Sequence, residues 1–181
     1  EAGFTVVPVA TAATLYGVWG ASPDDVWIVG GIANGAPDGE DDLVLHWDGA
    51  ALTRRALPAR GAALFKVWGS GAADVWISGE AGTLWHWDGA AFTPHHQATA
   101  AGILTVAGCG RDEAYAVGGS HLWRWDGASW SEDAGLPAVA LVAGVACGRD
   151  VGLVVGAQGV RLRRPRGGGA WIDERDASVG D

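Results

Sequence analysis

Methionine is absent from the 181 residues, lysine occurs once, at Lys66, and cysteine twice. Without methionine, residue 1 is not a translation start, and the chain is expected to be a processed or excised product. Two cysteines are too few for a disulfide scaffold and lack zinc-ligand spacing. The longest near-apolar run, Pro137–Cys147, has 11 residues, too few to span a bilayer. Twelve basic against 21 acidic side chains give a net charge of −9, with no basic cluster before the last repeat. That balance argues against nucleic acid as a partner. Charged residues make up only 18% and hydrophobic ones 49%, which excludes a disordered polyelectrolyte. What abounds is tryptophan, with 11 residues, and glycine, with 30.

Those residues recur in a pattern. Leu15-Tyr-Gly-Val-Trp-Gly is followed by Asp25-Val-Trp-Ile-Val-Gly30, and Leu64-Phe-Lys-Val-Trp-Gly by Asp74-Val-Trp-Ile-Ser-Gly79. Ile103-Leu-Thr-Val-Ala-Gly precedes Glu113-Ala-Tyr-Ala-Val-Gly118, and Leu141-Val-Ala-Gly-Val-Ala precedes Val151-Gly-Leu-Val-Val-Gly156. In each copy the closing glycine lies 15 residues after the opening aliphatic, and the starts are 49, 39 and 38 residues apart. A period of this size marks a repeat architecture.

A third apolar run and a turn complete each unit: Leu45-His-Trp-Asp-Gly, Trp85-His-Trp-Asp-Gly and Trp123-Arg-Trp-Asp-Gly, then Leu52, Phe92 or Trp130. Asp-Gly between alternating runs predicts a hairpin with a type I′ turn. In the fourth copy this part has decayed to Arg161-Leu-Arg-Arg-Pro-Arg-Gly, with Trp171 in the apolar slot. Each repeat therefore holds four short strands, an antiparallel meander of propeller-blade size. The expected architecture is all-β, one propeller domain over 1–181, with repeats at about 15–63, 64–102, 103–140 and 141–181. Phe4-Thr5 precedes Leu15 as Phe92-Thr93 precedes Ile103, so residues 3–9 read as the outer strand of a preceding blade. Either that strand latches a closed four-bladed ring, or the chain is a section of a larger propeller that pairs with further blades or a second chain.

The Val-Trp-Gly, Asp-Val-Trp and Trp-Asp-Gly signatures together resemble bacterial β-propeller repeats of the kelch-like and Asp-box-like kind. The turn aspartate precedes the aromatic by four residues at Asp126 and Trp130, and no serine precedes it by two, unlike a strict Asp-box. The resemblance implies either a non-catalytic binding or scaffolding module for a protein or carbohydrate ligand, or, alternatively, a sialidase-like glycoside hydrolase or lyase. It also implies a bacterial surface or extracellular location.

Residues that recur in every repeat are explained by packing. Trp19/Trp68, Trp27/Trp76 and Trp47/Trp87/Trp125 read as inter-blade core, and Asp25/Asp74 and Asp48/Asp88/Asp126 as turn formers. Trp85, Trp123 and Trp130 are less regular, and one of them is a candidate exposed platform. Unrepeated features are the candidates for function. The insertion at 31–42 offers Asn34, Asp38, Glu40, Asp41 and Asp42, hard oxygen donors suited to calcium. Asp38, Glu40, Asp41 and Asp42, with Glu80 and His121, are the loop-face ligand candidates. His95 and His96 are adjacent and point to opposite strand faces, a poor chelating pair. No Ser-His-Asp or Cys-His arrangement stands out, so no catalytic residue is assigned. Arg161, Arg163, Arg164 and Arg166 crowd the last repeat and, in a closed ring, would face the acidic first repeat. Cys109 and Cys147 align one residue after the same repeat slot, either as a disulfide between neighbouring blades or as two buried thiols.

Overall fold

A computed structural model of the chain describes residues 6–32, 41–59, 61–133, 135–136, 144–147, 151–165 and 169–174. The described residues form strands without helices, grouped as four blades. The first comprises β1 (Thr14–Ser22), β2 (Asp25–Gly31), β3 (Leu43–Trp47) and β4 (Leu52–Arg54); the second, β5 (Leu64–Gly71), β6 (Asp74–Gly79), β7 (Leu84–Trp87) and β8 (Phe92–Pro94). The third comprises β9 (Thr105–Gly110), β10 (Glu113–Gly118), β11 (His121–Trp125) and β12 (Trp130–Glu132); the fourth, β13 (Gly144–Cys147), β14 (Val151–Val155), β15 (Arg161–Pro165) and β16 (Ile172–Asp173). Each blade is an antiparallel meander in chain order.

The blades follow one another as an arc: β1 lies beside β5, β5 beside β9, and β9 beside β13. Among the described residues β13 has no such neighbour in β1, so this is an open propeller section and not a closed four-bladed ring. Residues 6–12 belong to no strand, and Phe4 and Thr5 lie outside the described residues. Among the described residues, the seam expected between Arg161–Arg166 and the acidic first repeat does not form; Arg166 lies outside them. Arg161 and Arg163 pair with Glu174 of their own blade, and Arg164 with Asp133 of the third.

Alternation along each strand sends one set of side chains to the preceding blade and the other to the following one. Trp27, Val29 and Val44 of the first blade pack on Leu64, Val67, Ile77, Trp85 and Phe92 of the second. Trp76 and Leu84 repeat this against Ile103, Val106, Trp123 and Trp125, and Tyr115, Val117 and Leu122 against Val145, Val154, Leu162 and Trp171. Trp27 and Trp76 are 1% and 0% exposed. Burying such a ring removes about 150–250 Å² from water, roughly 4–6 kcal/mol of transfer free energy. Trp85 and Trp123 are also buried, at matching positions opposite Ile77 and Ala116, so neither is a platform, and Trp130 packs half-buried on Trp76.

Near the axis each seam is a matched pair of volumes. A Cβ on Gly69 would lie 2.6 Å from Cη2 of Trp19, and one on Gly108 2.5 Å from Cη2 of Trp68. Those glycines leave the space that the preceding blade's tryptophan fills. In the last seam the pair is Ala107 and Cys147 instead. Cys147 also forms a disulfide with Cys109, their Cα atoms 4.9 Å apart. The two are not repeat equivalents. Cys109 is the extra residue of a bulge between Gly108 and Gly110, the place of Ala21 and Ser70, whereas Cys147 pairs with Gly152 in the register of Gly108. A bulge re-aims its side chain, which turns Cys109 toward the next inner strand.

The Asp-Gly turns also differ from expectation. Gly49, Gly89 and Gly127 have positive φ, but their aspartates do not, so these are not type I′ turns. Instead Oδ1 of Asp48, Asp88 and Asp126 accepts the N–H groups two and three residues on, and those bonds hold all three carboxyls below their usual range. Positive φ at two successive residues, the type I′ signature, occurs at Ala81-Gly82 and Gln158-Gly159, between the second and third strands of their blades.

Candidate binding cleft

Asp25 and Asp74, expected to shape turns, each hold a histidine. Nε2 of His46 donates to Oδ1 of Asp25, and Nε2 of His86 to Oδ1 of Asp74, both at 2.7 Å. The His46 ring lies tilted over Trp27 at 4.3 Å between centroids, and the His86 ring stacks on Trp76 at 4.1 Å. Burial pushes the Asp74 carboxyl up, but the bonds from His86 and Ser70 outweigh it and leave it below its usual range. Ser70 donates to Asp74 and not to His86. His86 is held between Asp74 and the Trp76 ring and does not accept the Ser70 proton, as the base of a Ser-His pair would.

His95 and His96 diverge. His95 meets Trp76 and Trp125 edge-on, at 5.0 and 5.5 Å. His96 stands perpendicular to Trp85 at 4.7 Å, and its Nδ1 accepts the Leu84 N–H at 3.1 Å. Burial lowers the pKa of both, and for His95 the charges of His86 and His96 add to it.

His96 borders a cleft of about 150 Å³ between the first two blades, on the face that carries the links from one blade to the next. Leu57, Leu64 and Trp85 line its apolar part, and Asp42, Thr83 and His96 its polar part. The link between the blades forms one wall, and Glu80 pins it: its Oε2 accepts the Ala63 N–H at 3.2 Å. Asp42 is buried just ahead of β3, and its carbonyl accepts a bond from Arg54 at 3.3 Å. With Nδ1 engaged, Nε2–H is the His96 group that a ligand would meet. A hydrogen-bond donor, a hydroxyl and a carboxylate around an apolar floor suit an extended chain with one small apolar side chain.

The sequence-predicted residues are thus distributed. Asp42 lines the cleft, Glu80 supports its wall, and Asp41 adjoins Asp42. His121 lies on the third blade, where its Nδ1 donates to Glu132 at 2.5 Å and its ring stacks on Trp123. Asn34, Asp38 and Glu40 lie outside the described residues. Leu57, Thr83 and His96 were not singled out as site residues, and Trp85 only as a candidate exposed platform, whereas it is buried beneath the cleft. The only sequence signal was that His96 has Ala56 at the matching place in the first repeat, one residue past the bond that Arg55 and His95 share.

No family model matches the chain, and no curated protein matches it. Solved structures do. YCF48 from Cyanidioschyzon merolae superposes with a TM-score of 0.67 at 16% identity, over 96% of this chain and 60% of that one. A structure of YCF48 bound to D1 peptide gives 0.67 at 16% identity, over 94% and 57%. The computationally designed Ika8 protein gives 0.62 at 12% identity, over 84% and 46%. The chain therefore spans about 60% or less of these neighbours' lengths. At such identities the likeness carries the fold alone: four blades of a β-propeller.

Proposed function

We propose that this propeller section is a non-catalytic binding module for a polypeptide segment, held in the cleft between its first two blades. The observation that carries the reading is the cleft's mixed lining of Leu57, Leu64 and Trp85 with Asp42, Thr83 and His96. One structural neighbour, YCF48, is seen with a peptide bound, which supports a protein ligand over a glycan. The clamped His46 and His86, with Ser70 turned to Asp74, speak against a hydrolase built on those groups. A random peptide display library and a glycan array, probed in parallel, test it. Peptides are expected to be enriched, and His96→Ala or Leu57→Asp to weaken them about tenfold or more, some 1.4 kcal/mol. Capture of glycans alone would replace the reading by a lectin, and hydrolysis of a glycoside by an enzyme. A bacterial surface or extracellular location accords with the disulfide, since such bonds persist in oxidising compartments. Periplasmic or surface recovery with the bond intact is the check.

A further inference from the structure

The two ends of the arc are built differently. On the first blade, the face that looks away from the second is apolar. Leu15 is 42% exposed where Leu64 and Ile103 are 0%, and Val18 is 64% exposed where Val67 and Val106 are 1% and 0%. With Tyr16, Gly17 and Ile28 they line one open groove. The fourth blade's outward face is mixed instead: Val155 and Ile172 are 38% and 44% exposed there, beside two arginines. Arg161 and Arg163 stand there, in the register of the buried Val44, Leu84 and Leu122 and of His46, His86 and Arg124. Both pair with Glu174.

We infer that the first blade is the docking face for one further repeat of the same array, of the Val-Trp-Gly, Asp-Val-Trp kind that the first two repeats themselves have. The fit follows from the seams. Gly20 stands in the register of Gly69 and Gly108, opposite Val26 as they are opposite Val75 and Ala114. Those two glycines receive the rings of Trp19 and Trp68 from the blade before. The three atoms nearest a Cβ on Gly20 all belong to its own blade, to Asp25, Val26 and Ser22, at 3.1–3.3 Å, and none is a tryptophan ring atom. The space in front of Gly20 is the socket for a tryptophan, and Trp47 and Leu52 are the pair on which a second ring rests, as Trp27 rests on Trp87 and Phe92. A second copy of this chain does not fit. Its free end offers Ala146 and Leu153 in place of the two tryptophans, and brings Arg161 and Arg163 against Leu15 and Val18.

The test places an added copy of residues 15–63 ahead of Leu15 in the full chain, and, as comparison, a copy of the fourth repeat joined through the same linker. The first is expected to raise the melting temperature by about 5 °C or more and to slow amide exchange along β1. Replacing the tryptophan of the added Val-Trp-Gly by alanine should remove most of that rise. An equal rise from the fourth repeat, or none from the first, overturns the inference. So does sedimentation of the unaltered chain as a head-to-tail dimer with β1 protected. A second pair of variants needs no extension. Gly20→Ala, whose Cβ meets its own blade at 3.1–3.3 Å, should lower the melting temperature of the unaltered chain by clearly less than Gly69→Ala, whose Cβ comes within 2.6 Å of the Trp19 ring. Equal losses would mean that Gly20 serves its own blade, and the inference falls.

Discussion

Asp133, one residue past the outer strand of the third blade, accepts a hydrogen bond from Arg164 of the fourth. Arg164 occupies the register of Trp125 and lies 4.6 Å from the ring centroid of Trp171, while its Nη2 donates to the Tyr115 hydroxyl at 3.4 Å. Burial penalises the guanidinium, but the bonds to Tyr115 and Asp133 outweigh it, so its charge is held more firmly than usual. The matching residue in the second blade, His95, faces Trp125 and Trp76. One seam is thus ionic where the one before it is aromatic.

Removing one partner leaves the other buried and uncompensated. Asp133→Ala should cost about 3–5 kcal/mol, read from urea denaturation. Asp133→His with Arg164→Trp copies the preceding seam, and the pair together should recover most of that loss. A single variant within 1 kcal/mol of the parent would show that the pair does not hold the seam.

The tryptophan sockets are equally specific. Gly108→Ala should destabilise by about 1–3 kcal/mol, because its Cβ enters the Trp68 ring. Trp68→Ala leaves a cavity and should cost about 3–5 kcal/mol. Combining Trp68→Ala with Gly108→Cys imitates the Ala107 and Cys147 seam, and should cost less than the sum of the two single changes.

The disulfide joins neighbouring inner strands across 38 residues. Closing a loop of that size stabilises by about 2–4 kcal/mol. Thiol titration of the denatured, unreduced chain should find no free thiol, and reduction should lower the melting temperature. Two free thiols would remove the bond.

Acid should loosen the second blade's outer edge first. His95 and His96 have folded pKa values below the ordinary one, chiefly because of burial. As pH falls through about 6.5 the unfolded chain takes up protons before the folded one does, so stability drops with pH. The Asp74 carboxyl, also lowered, adds its loss only in the more acidic range below about 4. Melting temperatures between about pH 7 and 5 should fall, and His96→Gln should flatten the fall. An unchanged slope in that variant would exonerate His96.

The fold was legible because packing between identical units repeats. Every blade must bury both faces, so Trp27 and Trp76, Val67 and Val106, and the Asp48, Asp88 and Asp126 turns return at fixed spacing. Departures from the repeat were the hard part. Cys109 and Cys147 share a spacing from their glycines, yet a bulge, invisible as a residue type, displaces one of them by a step. Asp25 and Asp74 read as turn residues because aspartate serves turns and histidine bonds alike. The cleft arises where the link after β4 runs beside the second blade, a juxtaposition set by the rotation between blades and not by any motif. Arg164 looked like one of a basic cluster, since nothing in its neighbours announces that Asp133, 31 residues earlier, comes to meet it.

The matched volumes near the axis have a consequence for assembly. Repeats with near-identical sequences are prone to join out of order as they fold. Here the order is written into shape. Trp19 and Trp68 need an empty glycine ahead of them, and the fourth blade offers Cys147, so it cannot seat on the first or second blade without a clash. Only the third blade, with Ala107 in place of the ring and Asp133 waiting for Arg164, accepts it. The seam between the third and fourth blades thus has an address of its own, and the disulfide seals it.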